Sequence, residues 1–158
     1  MTAQDLPEHA NDLVLTRLLD IPADRLYRCW TEPALIQQWF APSPWSVSRV
    51  DNDVRPGGHS LIVMRSPEGQ EMPGSGVYLE VIPNRRLVFT DAFTQGWVPT
   101  DKPFMTGIVS FDPEGAQTRY TARVRHWSAA DRTQHEAMGF HTGWGQCTDQ
   151  LAELAARL

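Results

Sequence analysis

The sequence predicts an α+β domain in which one antiparallel sheet of about seven strands is covered by a long C-terminal helix. Three observations carry this. Between Trp45 and Trp127, turn signals recur at short intervals and separate six segments of strand length. From Ala137 to Leu158, apolar residues recur at alternating steps of three and four, the period of one helix face. Ahead of both, a β-prone segment stops at Pro22 and two short helical stretches follow.

Met1 to Asp12 carries Asp5, Glu8 and Asp12 and no apolar core, so residues 1–12 read as a flexible polar lead-in rather than a secretory signal, and the domain occupies residues 13–158. Leu13 to Asp20 (LVLTRLLD) is a first strand. Leu26, Cys29 and Trp30 then share one helix face, with Pro22 and Asp24 suited to its first turn. Pro33 restarts a second short helix through Leu35, Ile36, Trp39 and Phe40, and Ala41-Pro42-Ser43-Pro44 ends it, because a residue before Pro is pushed out of helical geometry.

The strands that follow are WSVSRVD, HSLIVMR, GVYLEVI, RLVFTDAF, FMTGIVSF and TRYTARVRHW. In the last, Tyr120, Ala122, Val124 and His126 alternate with Arg119, Thr121, Arg123 and Arg125, so one face is buried and the other solvated. The closing helix carries the stripe Ala137, Phe140, Trp144, Cys147, Leu151, Leu154 and Leu158, which must lie on the apolar face of the sheet. Gly139, Gly143 and Gly145 interrupt its first half, each at a cost of about 1 kcal/mol relative to Ala. Close approach to the sheet or a ligand is one reason for them, and a bend that opens a portal is another.

Composition narrows the function. The 158 residues are 41% hydrophobic and 21% charged, enough for a full core without disulfides or metals. Nineteen acidic against fourteen basic residues leave a net charge of −5, and the thirteen Arg and single Lys102 are scattered, so nucleic acid is not the expected partner. No apolar run approaches the roughly 18 residues that cross a bilayer, so no membrane partner is expected. Cys29 and Cys147 read as reduced thiols in helices, which fits a cytoplasmic location.

Several motifs together resemble a known family. They are Leu26-Tyr27-Arg28-Cys29-Trp30-Thr31-Glu32-Pro33 followed by Trp39, then Arg55-Pro56-Gly57-Gly58, Leu87-Val88-Phe89-Thr90, and Gly143-Trp144 with Leu151. This combination, spanning residues 13–158, resembles the START-like (SRPBCC) superfamily, in its branch named after the activator of heat-shock-protein ATPase. The resemblance implies a helix-grip fold with a cavity between the curved sheet and the long helix.

For that cavity the sequence offers many large side chains: Trp39, Phe40, Trp45, Met64, Phe89, Phe93, Trp97, Phe104, Met138, Phe140 and Trp144. They make either a dense core or an apolar pocket. Asp91 lies between Phe89 and Phe93, His126 shares the Tyr120 face, and His141 stands beside the helix stripe. These three are the candidates to orient a ligand or move a proton, the alternative being hydrogen-bonded core or rim groups. Trp97, in the long loop from Gly96 to Pro103, is a candidate cover for the pocket mouth.

No cofactor or metal is expected. On one helix His135 and His141 stand six residues apart, about 240° around the axis, and His135-Glu136-Ala137-Met138-Gly139 places Gly where a second zinc ligand would fall. No nucleophile elbow or phosphate loop is present.

The leading expectation is a protein that binds a small hydrophobic or aromatic molecule. A cyclase, dehydratase or hydrolase of polyketide-like substrates using the same cavity is the second reading. A co-chaperone of a heat-shock ATPase ranks third, because the eukaryotic activators join this domain to another and the chain has no room for one. Exposed edge strands also make a homodimer conceivable.

Overall fold

The first strand, β1 (Asp12–Leu19), does not pair with its neighbour in sequence but with β9 (Gln117–His126), from Asp12 opposite Arg125 to Leu19 opposite Thr118. In this computed structural model residues 6–158 are described, so of the lead-in Met1 to Asp5 lie outside them. The chain next forms α1 (Ala23–Thr31) and α2 (Pro33–Trp39), separated at Glu32, whose extended backbone (φ −85°, ψ 121°) is what the following proline requires. The strands β2 (Ser46–Asn52), β3 (His59–Arg65), β4 (Glu71–Ile82), β5 (Arg86–Thr90) and β8 (Met105–Glu114) complete a seven-stranded antiparallel sheet in the order β1-β9-β8-β5-β4-β3-β2. A small ribbon, β6 (Phe93–Thr94) with β7 (Val98–Pro99), stands apart. This is the α+β helix-grip architecture.

Several boundaries differ from the sequence reading, and one is β8, which stays paired with β9 through Glu114, three residues past the expected Phe111. β4 begins at Glu71, five residues before the expected Gly76, because Ser66 and Gln70 close a tight turn that pairs Glu71 with Arg65. β5 ends at Thr90 rather than Phe93, since Thr90 and Asp91 turn their polar atoms onto the returning chain at Phe104–Met105. The expected single helix after Ala130 is two, α3 (Ala129–Ala137) and α4 (Phe140–Ala156). Gly139 causes the break: its φ of +93° is left-handed, a conformation cheap only without a side chain. Ala137, expected on the stripe, is therefore exposed on α3.

The core sits between sheet and α4. Leu151, Leu154 and Ala155 join Val109, Phe111, Tyr120 and Ala122 of the central strands and Leu26, Cys29, Trp30 and Trp39 of the front helices in one buried cluster. Its polar atoms are paired: the Trp30 indole donates to Tyr120 Oη at 3.2 Å and the Trp39 indole to the Cys29 carbonyl at 2.8 Å. Burial raises the Cys29 thiol to about 11, so it stays protonated.

The described part of the lead-in is tied to the sheet. Arg125 donates to the Pro7 carbonyl at 2.7 Å, and the His126 backbone to that of Asn11. At Arg55-Pro56-Gly57-Gly58 the two glycines have different tasks. Gly57 has φ +81°, whereas a Cβ on Gly58 would fall onto the Asp53 carbonyl oxygen.

Candidate functional site

The first half of α4 sets Phe140 against Leu13 and Val124 of the sheet and leaves open space beside it. Between it, the front helices and β3 and β8 lies a cavity of about 370 Å³. The sequence builds its walls locally. Phe40 and Pro42 sit on the segment after α2, which α4 holds by glutamine hydrogen bonds: Gln150 Nε2 donates to the carbonyls of Trp39 and Ala41, Gln146 Nε2 to that of Ser43, and the Ser43 amide to Gln150 Oε1. Met64 and Met105 come from β3 and β8, and Trp30 and Trp39 close the inner wall.

The remaining wall is the α3–α4 corner, where His135, Met138, Gly139, Phe140, Gly143, Trp144 and Cys147 line the space. Met138, 70% exposed, marks the mouth. Phe140 stacks on Trp144 with ring centres 5.4 Å apart, and Cys147 Sγ donates to the Phe40 carbonyl at 3.6 Å. Burial pushes the Cys147 thiol up to about 11, so it presents a soft neutral group rather than a thiolate.

Of the side chains singled out in the sequence, Trp39, Phe40, Met64, Met138, Phe140 and Trp144 line this cavity. The others do not. Trp45 is half-buried ahead of β2, and Phe89 stacks beneath Trp30 at 5.7 Å. Phe93 packs edge-on against Trp97, which is 54% exposed and lies over Gly57 instead of the mouth. Phe104 packs against His126 and His135.

The three polar candidates separate in space. Asp91 accepts from the backbone amides of Phe104, at 2.9 and 3.0 Å, and Met105, at 3.1 Å, so it closes the 91–104 loop. His141 is exposed and meets Glu136 at 3.3 Å. His126 is buried next to the cavity without lining it, and borders a second hollow with His9, Thr106, Arg125 and Trp127.

The polar group that does reach the cavity is His135, which sequence reading weighed only as a metal ligand. Its Nδ1 lies 2.9 Å from His126 Nε2, and His126 Nδ1 lies 2.7 Å from the Asn11 carbonyl oxygen. The rings of Phe104 and Phe140 flank His135 at 5.0 and 5.2 Å. Burial, reinforced by the facing His126, pushes His135 down to about 4, so its ring is neutral near pH 7. Among the described residues no group of three or more His, Cys, Asp or Glu is placed to hold a metal, and no helix is long and apolar enough to cross a membrane.

Comparison with known proteins follows the same architecture. Residues 20–156 match the family described as activator of Hsp90 ATPase homolog 1-like protein. The crystal structure of a protein from Nitrosomonas europaea is 42% identical, with a TM-score of 0.91 over 95% of this chain and 97% of its own. A Mycobacterium smegmatis protein is 26% identical, with a TM-score of 0.76 over 90% of this chain and 89% of its own. One from Rhodobacter sphaeroides shares the fold at 20% identity, with a TM-score of 0.82 over 96% of this chain and 97% of its own. No curated protein matches the chain.

Proposed function

The chain belongs to the activator of Hsp90 ATPase homolog 1-like family, and from that premise we propose that it binds a small hydrophobic or aromatic molecule in the cavity between its sheet and α4. The observation that carries this reading is the wall itself. Rings and thioethers dominate it, and the indole N–H groups of Trp30 and Trp39 are already committed to protein acceptors. A guest entering such a space loses little hydration of polar groups on either side. Each 100 Å² of apolar guest surface removed from water contributes about 2.5 kcal/mol, against which stand the costs of association. The volume accommodates a molecule of two or three fused rings, in the range usual for ligand sites.

Thermal shift measures this directly, because a ligand that binds only the folded state raises the midpoint. Lipids, flavonoids and polyketides form the panel. At least one class is expected to raise the midpoint of the native protein and to lose that effect in Gly143→Trp, whose indole would occupy the space. A panel without any shift overturns the reading.

A further inference from the structure

The hydrogen-bond chain from Asn11 to His135 fixes which atom of His135 carries a proton. The Asn11 carbonyl oxygen can only accept, so His126 Nδ1, 2.7 Å away, is the donor. With a single proton on its ring, His126 offers Nε2 as an acceptor. The 2.9 Å contact with His135 Nδ1 therefore requires His135 to donate from Nδ1. That leaves His135 Nε2 with a bare lone pair. No group among the described residues donates to it, and the residue, 9% exposed, lies on the cavity wall. A ligand hydroxyl reaching that acceptor makes a hydrogen bond, whereas a purely apolar guest displaces the water there and leaves it unmade.

Resting on the reading of this cavity as a ligand site, we propose that His135 Nε2 is its polar anchor and that the preferred ligands are apolar molecules carrying a hydroxyl donor, such as phenols or enols. His126 is a positioning residue: held by Asn11, it sets the tautomer of His135 and does not itself line the cavity. The flanking Phe104 and Phe140 rings keep the acceptor in an apolar setting, where one well-made hydrogen bond discriminates more than it does in water. An apolar molecule of the same shape that lacks the donor leaves the lone pair unmet.

Two measurements test this. Nitrogen-15 NMR of the histidine rings in the native protein at neutral pH is expected to show both His126 and His135 protonated at Nδ1 and bare at Nε2. A proton on His135 Nε2 overturns the assignment. Calorimetry with 2-naphthol and 2-methoxynaphthalene, which share a ring system and differ in the donor, is expected to give about tenfold tighter binding of 2-naphthol. His135→Phe should bring the two affinities together while still binding both. Equal affinities in the native protein overturn the anchor but leave the cavity as a ligand site. Failure of both compounds to bind overturns the anchor and counts against the cavity reading as well.

Discussion

The two halves of α4 face the same sheet and have opposite fates. In the C-terminal half, Leu151, Leu154 and Ala155 are buried in one cluster with Phe111, Tyr120 and Ala122. In the N-terminal half, Phe140, Gly143, Trp144 and Cys147 look across a cavity of about 370 Å³. The residue period is the same in both. What differs is the backbone leading in: the left-handed Gly139 turns the chain between α3 and α4, and Gly143 withholds a side chain that would fill the gap. An unbroken stripe thus packs into the core at one end and lines a cavity at the other, and only backbone geometry tells them apart.

Removing bulk from the closed half should cost most. Leu151→Ala is expected to lower stability by about 2–5 kcal/mol in chemical denaturation, because the dense surroundings cannot collapse into the void. The same variant should leave ligand affinity nearly unchanged. A large loss of affinity would show that the two halves are not independent.

The open half should instead reveal itself through pH. His135 titrates near 6.5 when unfolded and about 4 when folded, so between these values the unfolded chain holds the extra proton. Stability therefore rises with pH across that window and is lost as pH falls through it, by on the order of 2 kcal/mol once solvent screening is allowed for. Denaturation midpoints at pH 4.5 and 7 in the native protein and in His135→Phe measure it. The substitution is expected to flatten the difference, and an unchanged slope would assign it to other groups.

The smallest effect has the opposite sign. A Cβ on Gly143 meets nothing within 4 Å, so Gly143→Ala should stabilise α4 by up to about 1 kcal/mol without closing the cavity. A destabilised Gly143→Ala would mean that the helix needs the glycine for its path rather than for space.

Legibility in the sequence followed how local each signal was. The alternation of Tyr120, Ala122 and Val124 and the three-four spacing from Phe140 to Leu154 gave the sheet and helix faces, since each depends on neighbours within one element. The three glycines of the last helical region signalled a bend, but not which residue would turn. Extending one helical period through Gly139 sets His135 and His141 by the wrong geometry and keeps His135 off the stripe, whereas after the break its ring meets Phe140 edge-on. Asp91 was placed by strand parity that ends one residue earlier, at Thr90, and its partners arrive from a loop thirteen residues away. The role of Asn11 could not be read at all, because only its carbonyl takes part.

The pairing of β1 with β9 has a consequence for how the chain acquires this structure. Asp12 meets Arg125 and Leu19 meets Thr118, so β1 leaves the ribosome about a hundred residues before the strand it pairs with. Contacts so distant in sequence form late, after loop-closure entropy has been met. The local hairpins from β2 to β5 can assemble meanwhile. Until β9 arrives, Leu13 and Leu15 remain uncovered, and the nascent protein is then most exposed to pairing with the wrong strand.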